Sequence, residues 1–112
     1  MNDLQNYCDN IRKELNAIYE GTTGEKNEDG DQMTMYDYFA DALDYEYTIG
    51  SNGDFLGVRV YVTLGGPNVW IDTRRGEIAG ACGTDRAESW LPSEIADEIN
   101  DIFREYYECM RN

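Results

Sequence analysis

Residues 45–64 read YEYTIGSNGDFLGVRVYVTL, and the fold of the whole chain turns on the period of this stretch. Tyr45, Tyr47 and Ile49 alternate with Glu46 and Thr48, which is the two-residue period of a strand with one buried side. Ser51-Asn52-Gly53-Asp54 then reads as a hairpin turn, because Asn-Gly accepts the positive φ angles of a type I′ turn. In the second run strict alternation sends Leu56, Val58, Val60, Val62 and Leu64 toward a core, and Phe55, Arg59, Tyr61 and Thr63 to the other side. Toward the C-terminus, Gly65-Gly66-Pro67-Asn68 turns the chain into a strand over 69–72. Arg74-Arg75-Gly76 turns it again into 77–82, and 86–91 offers a fifth, short strand. Connections this short force antiparallel neighbours. A single apolar face on the second strand means that something must cover it.

The covering elements are helices. Leu4, Tyr7, Ile11, Leu15 and Ile18 recur at helical spacing, with Asn2 or Asp3 as the cap and Gly21 as the stop. Residues 22–32 lose all periodicity and form an exposed acidic connection. Thr34 caps a short helix over 35–44, with Tyr36, Phe39, Ala40 and Leu43 expected inside and Asp37, Asp41 and Asp44 sharing another side. Pro92 opens a last helix whose Ile95, Ile99, Ile102, Phe103 and Tyr106 are expected to pack on the Val and Leu face, proline being well tolerated at a first helical position. The fold class that follows is α+β: an antiparallel four- to five-stranded meander with helices packed on one face, in the order α-α-β-β-β-β-(β)-α. With 112 residues the chain is one domain, 1–112, long enough to bury a core of its own.

The formal charge of −14 sits on a chain that is 41% hydrophobic, too apolar for a disordered acidic tail. The excess is uneven. Residues 1–50 carry a net −9, residues 51–91 a net −1 and residues 92–112 a net −4, so the helices and the first loop hold the acids while the sheet is near neutral. Cys8, Cys82 and Cys109 are odd in number and widely spaced, as expected of free thiols in a reducing cytoplasm. The start MNDLQNYCDN has no basic and apolar leader pattern, and no apolar run approaches the ~18 residues of a membrane span.

On the last helix Glu94, Glu98, Asp101, Glu105 and Glu108 fall in one narrow strip opposite the apolar stripe, with Asp97 beside it and only Arg104 interrupting the acids. Like charges at four-residue spacing cost a helix a few tenths of a kcal/mol each. Solubility or a cationic partner therefore accounts for them better than helix stability does. Five carboxylates along about 21 Å of helix are sparser than the charges of duplex DNA, one per ~1.7 Å of axis. Mimicry of DNA would require Asp37, Asp41, Asp44 and the acids of the 22–32 loop to lie on the same side.

Chemistry is narrowed mainly by exclusion. The chain has no histidine, which removes Ser-His and Cys-His nucleophiles and histidine metal sites. A calcium loop beginning at Glu25 would place Tyr36 where a bidentate glutamate is required. Gly65-Gly66-Pro67 lacks the lysine of a phosphate loop and lies between strands. No catalytic residue, metal or cofactor is expected.

GGPNVWIDTRRGEIAG, followed by GTDRAESWL and an acidic helix ending in tyrosines, resembles a group of small acidic proteins carried by plasmids, phages and conjugative elements of Gram-positive bacteria, over about residues 57–108. That group includes anti-CRISPR inhibitors of Cas9. The resemblance implies a non-enzymatic protein that occupies a basic, nucleic-acid-handling groove of a defence protein, and the charge pattern of the helices points to Glu94, Glu98, Asp101, Glu105, Glu108, Asp37, Asp41 and Asp44 as the acids of that contact. Cas9 is the first candidate partner, with no direct contact to nucleic acid or membrane. The rival reading is a small regulatory module that binds another protein through its tyrosines and its exposed sheet face.

Overall fold

The computed structural model describes residues 3–40, 42 and 44–111. They form α1 (Asp3–Glu20), α2 (Met35–Ala40), β1 (Asp44–Ile49), β2 (Phe55–Thr63), β3 (Asn68–Asp72), β4 (Glu77–Cys82), β5 (Asp85–Trp90) and α3 (Ser93–Arg111). The five strands make one antiparallel sheet in the order β1-β2-β3-β4-β5. All three helices lie on one face of it, as the period of residues 45–64 requires.

Helix α1 buries Leu4, Cys8, Ile11, Leu15 and Ile18 against β4 and β5. Cys8 takes an inside position, and Tyr7, at the margin of the stripe, stays exposed. Close approach depends on Gly80, where a Cβ would come within 2.8 Å of the Leu4 Cδ1. The helix ends as its glycine predicts: Gly21, at φ 76°, donates to the Ile18 carbonyl and Thr22 to the Ala17 carbonyl, the paired bonds of a Schellman motif.

Helix α2 is shorter than its sequence spacing suggests. It stops at Ala40, with Met35 and Phe39 inside and Tyr36 and Ala40 exposed. Asp44 is the first residue of β1 instead of the last of a helix, while Asp41 and Leu43 lie outside the described residues. Of its six residues, Met35 and Phe39 are buried and Tyr38 packs against the core beside them.

Two local departures change which side chains are buried. The β1–β2 loop is not a type I′ turn, because Asn52 keeps a negative φ and only Gly53 is positive, at 91°. Gly53 donates to the Gly50 carbonyl and Gly50 to the Asp54 carbonyl, so a three-residue loop closes with glycine in the left-handed position. Next to it the register shifts by one: Thr48 pairs with Gly57 but Ile49 with Phe55. Leu56 is the extra residue of a β-bulge, which rotates the start of β2. Phe55 therefore enters the core at 8% exposure, and Leu56 is left 43% exposed, the reverse of strict alternation. Further along, Val58 and Val60 are buried as expected, Val62 is half-buried, and Leu64 lies beyond the strand in solvent.

Helix α3 follows Pro92, whose carbonyl accepts from Ile95 and Ala96, so the proline caps the helix from outside instead of opening it. Ile95, Ile99 and Phe103 are buried on the sheet. Phe103 is the hub, with ring centroids 4.9 Å from Tyr45, 5.5 Å from Tyr106 and 5.8 Å from Phe39. The Tyr107 hydroxyl donates to the Gly53 carbonyl at 2.9 Å and ties the end of α3 to the β1–β2 loop. None of the helices among the described residues is long and apolar enough to cross a membrane.

Candidate functional site

A helix turns about 100° per residue, which puts Glu94, Glu98, Asp101, Glu105 and Glu108 within roughly 80° of arc on α3. That arc points away from the sheet. Glu94, Asp101, Glu105 and Glu108 are exposed and Glu98 is half-buried. Among the described residues the strip contains one ion pair, Arg104 to Asp101 at 2.9 Å. The same guanidinium lies 5.3 Å from the Phe55 ring. The outer side of α3 is thus a line of carboxylates with little internal neutralisation.

Of the remaining predicted acids, Asp37 and Asp44 fall among the described residues. Asp37 is engaged locally: its carboxylate accepts the Thr34 backbone N–H at 2.9 Å, the Thr34 hydroxyl at 2.9 Å and the Asn27 amide at 3.1 Å, and its own N–H donates to the Thr34 hydroxyl. This is a capping box for α2. The same bonds, the Thr34 backbone N–H first, hold the Asp37 carboxyl below the usual aspartate range. Asp44 pairs across the sheet with Tyr61, on the face that carries no helix, and accepts the N–H of Tyr45. It lies on the opposite side of the domain from the α3 strip. Asp41 falls outside the described residues. Asp44 thus lies off any surface that includes the α3 strip, so the full set of acids that DNA mimicry would need is not gathered on one side.

The uncovered sheet face holds a second arrangement. Paired registers place Glu46, Arg59, Asp72, Glu77 and Trp90 in one cross-strand row, and Asp44, Tyr61, Trp70, Ala79 and Glu88 in the next. Asp72 is buried at 6% exposure and works for the turn: one oxygen accepts the N–H groups of Arg74 and Arg75, the other the guanidinium of Arg59 at 3.1 Å. Arg59 thereby lies over the Trp70 indole, 5.2 Å from its centroid, and the Tyr61 ring lies 6.3 Å from Trp70. Partial burial works against the Arg59 charge, but Tyr61 and Asp72 outweigh it and raise its pKa. Tyr61 in turn donates to Glu46 at 2.9 Å. The Arg74 stem lies across Gly57, where a side chain would collide with it, and Arg75 reaches Glu77 at 3.8 Å, within its own hairpin.

Sequence alternation identified Arg59 and Tyr61 as outward residues. Their convergence on Trp70 and Asp72 required the β2–β3 register, and so was not legible in the sequence. Trp90, at the end of β5, is 63% exposed with Arg12 over its ring at 5.4 Å. The three cysteines are free, and burial pushes the Cys8 thiol up. Among the described residues no group of acids and cysteines is placed to hold a metal ion. Compared with protein-family models, with curated proteins and with solved structures, the chain matches none.

Proposed function

We propose that the protein is a non-enzymatic binding protein that lays the outer side of α3 into a basic groove of a nucleic-acid-handling defence protein, Cas9 being the first candidate. The observation that supports this is the strip Glu94, Glu98, Asp101, Glu105 and Glu108 on the outer side of the last helix, exposed except for half-buried Glu98 and holding one ion pair among the described residues. A carboxylate near an arginine or lysine that otherwise contacts phosphate competes for it directly. The interface centres on the α3 strip, and Asp44, which faces the other way, takes no part in it.

The test is a Glu105→Lys variant measured against guide-loaded Cas9. In water a unit charge pair at about 5 Å is worth about 0.8 kcal/mol, so reversing one partner costs about 1.6 kcal/mol, roughly fifteenfold in affinity at low salt. The fold should hold, since a lysine at this position sits four residues after Asp101, the favourable orientation for a helical pair. Affinity unchanged by the reversal and by raising salt from about 50 to 500 mM would refute the acidic-strip mechanism.

The second reading, a protein-binding module, draws on the uncovered face. Trp, Tyr and Arg dominate interface hot spots, and Trp70, Tyr61 and Arg59 meet on a face that no helix covers. Under that reading Trp70→Ala abolishes binding while Glu105→Lys leaves it alone.

A further inference from the structure

The two edges of the sheet are treated differently. At β5, helix α1 closes in: the Gln5 amide donates to the Glu88 carbonyl at 2.7 Å and Arg12 to the Ser89 hydroxyl at 2.9 Å, while the Arg86 guanidinium takes the carbonyls of Gly83 and Asp85. At β1 nothing among the described residues plays that part. Because the Gly50 N–H donates to Asp54, Gly50 and, by alternation, Thr48 and Glu46 direct their backbone groups toward β2. Tyr45, Tyr47 and Ile49 direct theirs outward. In agreement, the Tyr45 N–H is taken by the Asp44 side chain instead of a ladder partner. That leaves the carbonyls of Tyr45, Tyr47 and Ile49 and the N–H groups of Tyr47 and Ile49 on an open edge, flanked by Tyr45 at 37% and Ile49 at 38% exposure.

We infer that this edge pairs with the β1 edge of a second copy of the chain, antiparallel about a twofold axis through Tyr47, to make one continuous ten-stranded sheet. The sequence of β1 suits this register and disfavours those centred on Glu46 or Tyr45. With Tyr47 opposite Tyr47, Tyr45 falls opposite Ile49 and Glu46 opposite Thr48, so apolar residues meet on the helix-covered face and no acid meets an acid. A register centred on Glu46 sets that glutamate against itself, and one centred on Tyr45 sets Asp44 against Glu46. The chosen register forms hydrogen bonds between the two Tyr47 residues and from each Ile49 N–H to the partner Tyr45 carbonyl, without disturbing the Asp44 bond. Glu46 and Thr48 then form a non-hydrogen-bonded pair, the type whose side chains approach closest. Each copy carries −14, so long-range repulsion opposes pairing and salt favours it. Binding to a basic groove has the opposite salt dependence, which separates the two ideas.

The experiment is sedimentation equilibrium of the purified chain, wild type and with Thr48→Lys or Thr48→Glu, at about 0.05 and 0.5 M salt, where screening differs severalfold. Thr48 is exposed on the helix-free face, so both variants should fold. Each dimer gains two Lys–Glu pairs or two Glu–Glu pairs, and at 0.2–1 kcal/mol per pair the lysine variant should dimerise about two- to thirtyfold more tightly and the glutamate variant correspondingly less. A lysine at exposed Thr84, at the tip of the β4–β5 hairpin, changes net charge equally and should leave association unchanged beyond that general effect. Amide exchange should slow at Tyr47 and Ile49 as protein concentration rises. A chain that stays monomeric to about 1 mM at high salt, a dimer indifferent to residue 48, or edge protection that appears only when a basic partner protein is added would each overturn the inference.

Discussion

The bulge at Leu56 reverses the burial of two adjacent residues, so the most informative perturbation is to truncate each in turn. Phe55 is 8% exposed, its ring 5.7 Å from Tyr47 and 6.1 Å from Tyr107, with the Arg104 guanidinium 5.3 Å above it. Phenylalanine-to-alanine changes in a core cost about 3–5 kcal/mol, and a site at the margin of the core, next to a loop, belongs near 3. Leu56 keeps 43% of its surface in water. Full burial of a leucine is worth about 1.5–3 kcal/mol, so Leu56→Ala should cost about 1. The gap of about 2 kcal/mol corresponds to about thirtyfold in the unfolding equilibrium, and in urea, at about 1–3 kcal/mol/M, to midpoints separated by about 1 M. Unbroken alternation through β2 demands the opposite order. Equilibrium urea denaturation followed by circular dichroism distinguishes the two: if Leu56→Ala destabilises as much as or more than Phe55→Ala, the bulge is misplaced and the face assignment of residues 55–57 fails with it.

Phe103→Ala removes the ring shared by Phe39, Tyr45 and Tyr106, and should cost about 3–5 kcal/mol by the same denaturation measurement, with a loss under about 1 showing that α3 is not the lid of the core. Three tyrosines should titrate late: burial first, then Glu14 and Tyr7, raises Tyr38; burial, then Tyr45, pushes Tyr47 up to about 12; and the hydrogen bond with Tyr36, then burial, pushes Tyr106 up to about 12. Because the folded values lie above the ordinary 10, their contribution to stability is complete below pH 10 and is lost as pH rises through the raised values; ultraviolet titration of phenolate should show these three steps late, and alkaline unfolding should track them. Thr34→Ala breaks the capping box and should cost about 1 kcal/mol. Since the Asp37 carboxyl is held below its ordinary 3.8, the contribution it makes is present above that pH and lost on acidification below it, so the deficit of Thr34→Ala relative to wild type should shrink in acid.

The sequence by itself determined what depends on neighbours along the chain. The change from a 3.6- to a 2-residue period at Tyr45, and back after Pro92, set the order of elements. The meander followed from turns too short for any other connection. The stop at Gly21, the Thr34 cap and the line of carboxylates on α3 were equally legible, because helical geometry places residues three and four apart side by side whatever else the chain does. The uncertain fifth strand proved to be Asp85–Trp90. Tertiary structure alone decided matters that depend on pairing between distant segments. A two-residue period has no way to record an extra residue, so only the register of β2 against β1 could expose Leu56 and bury Phe55. The placement of Asp44 is of the same kind: helical spacing grouped it with Asp37, but pairing with Tyr61 drew it into β1 and across to the far face of the sheet. Asp72 likewise read as one acid among twenty-three until the β2–β3 register set Arg59 beside it and made the pair the anchor of the Trp70 face. Local steric and hydrogen-bonding rules act within a turn or two of chain. Which faces and edges remain open is a property of the assembled sheet, because each open group is defined by the absence of a neighbour that only the complete fold could have supplied.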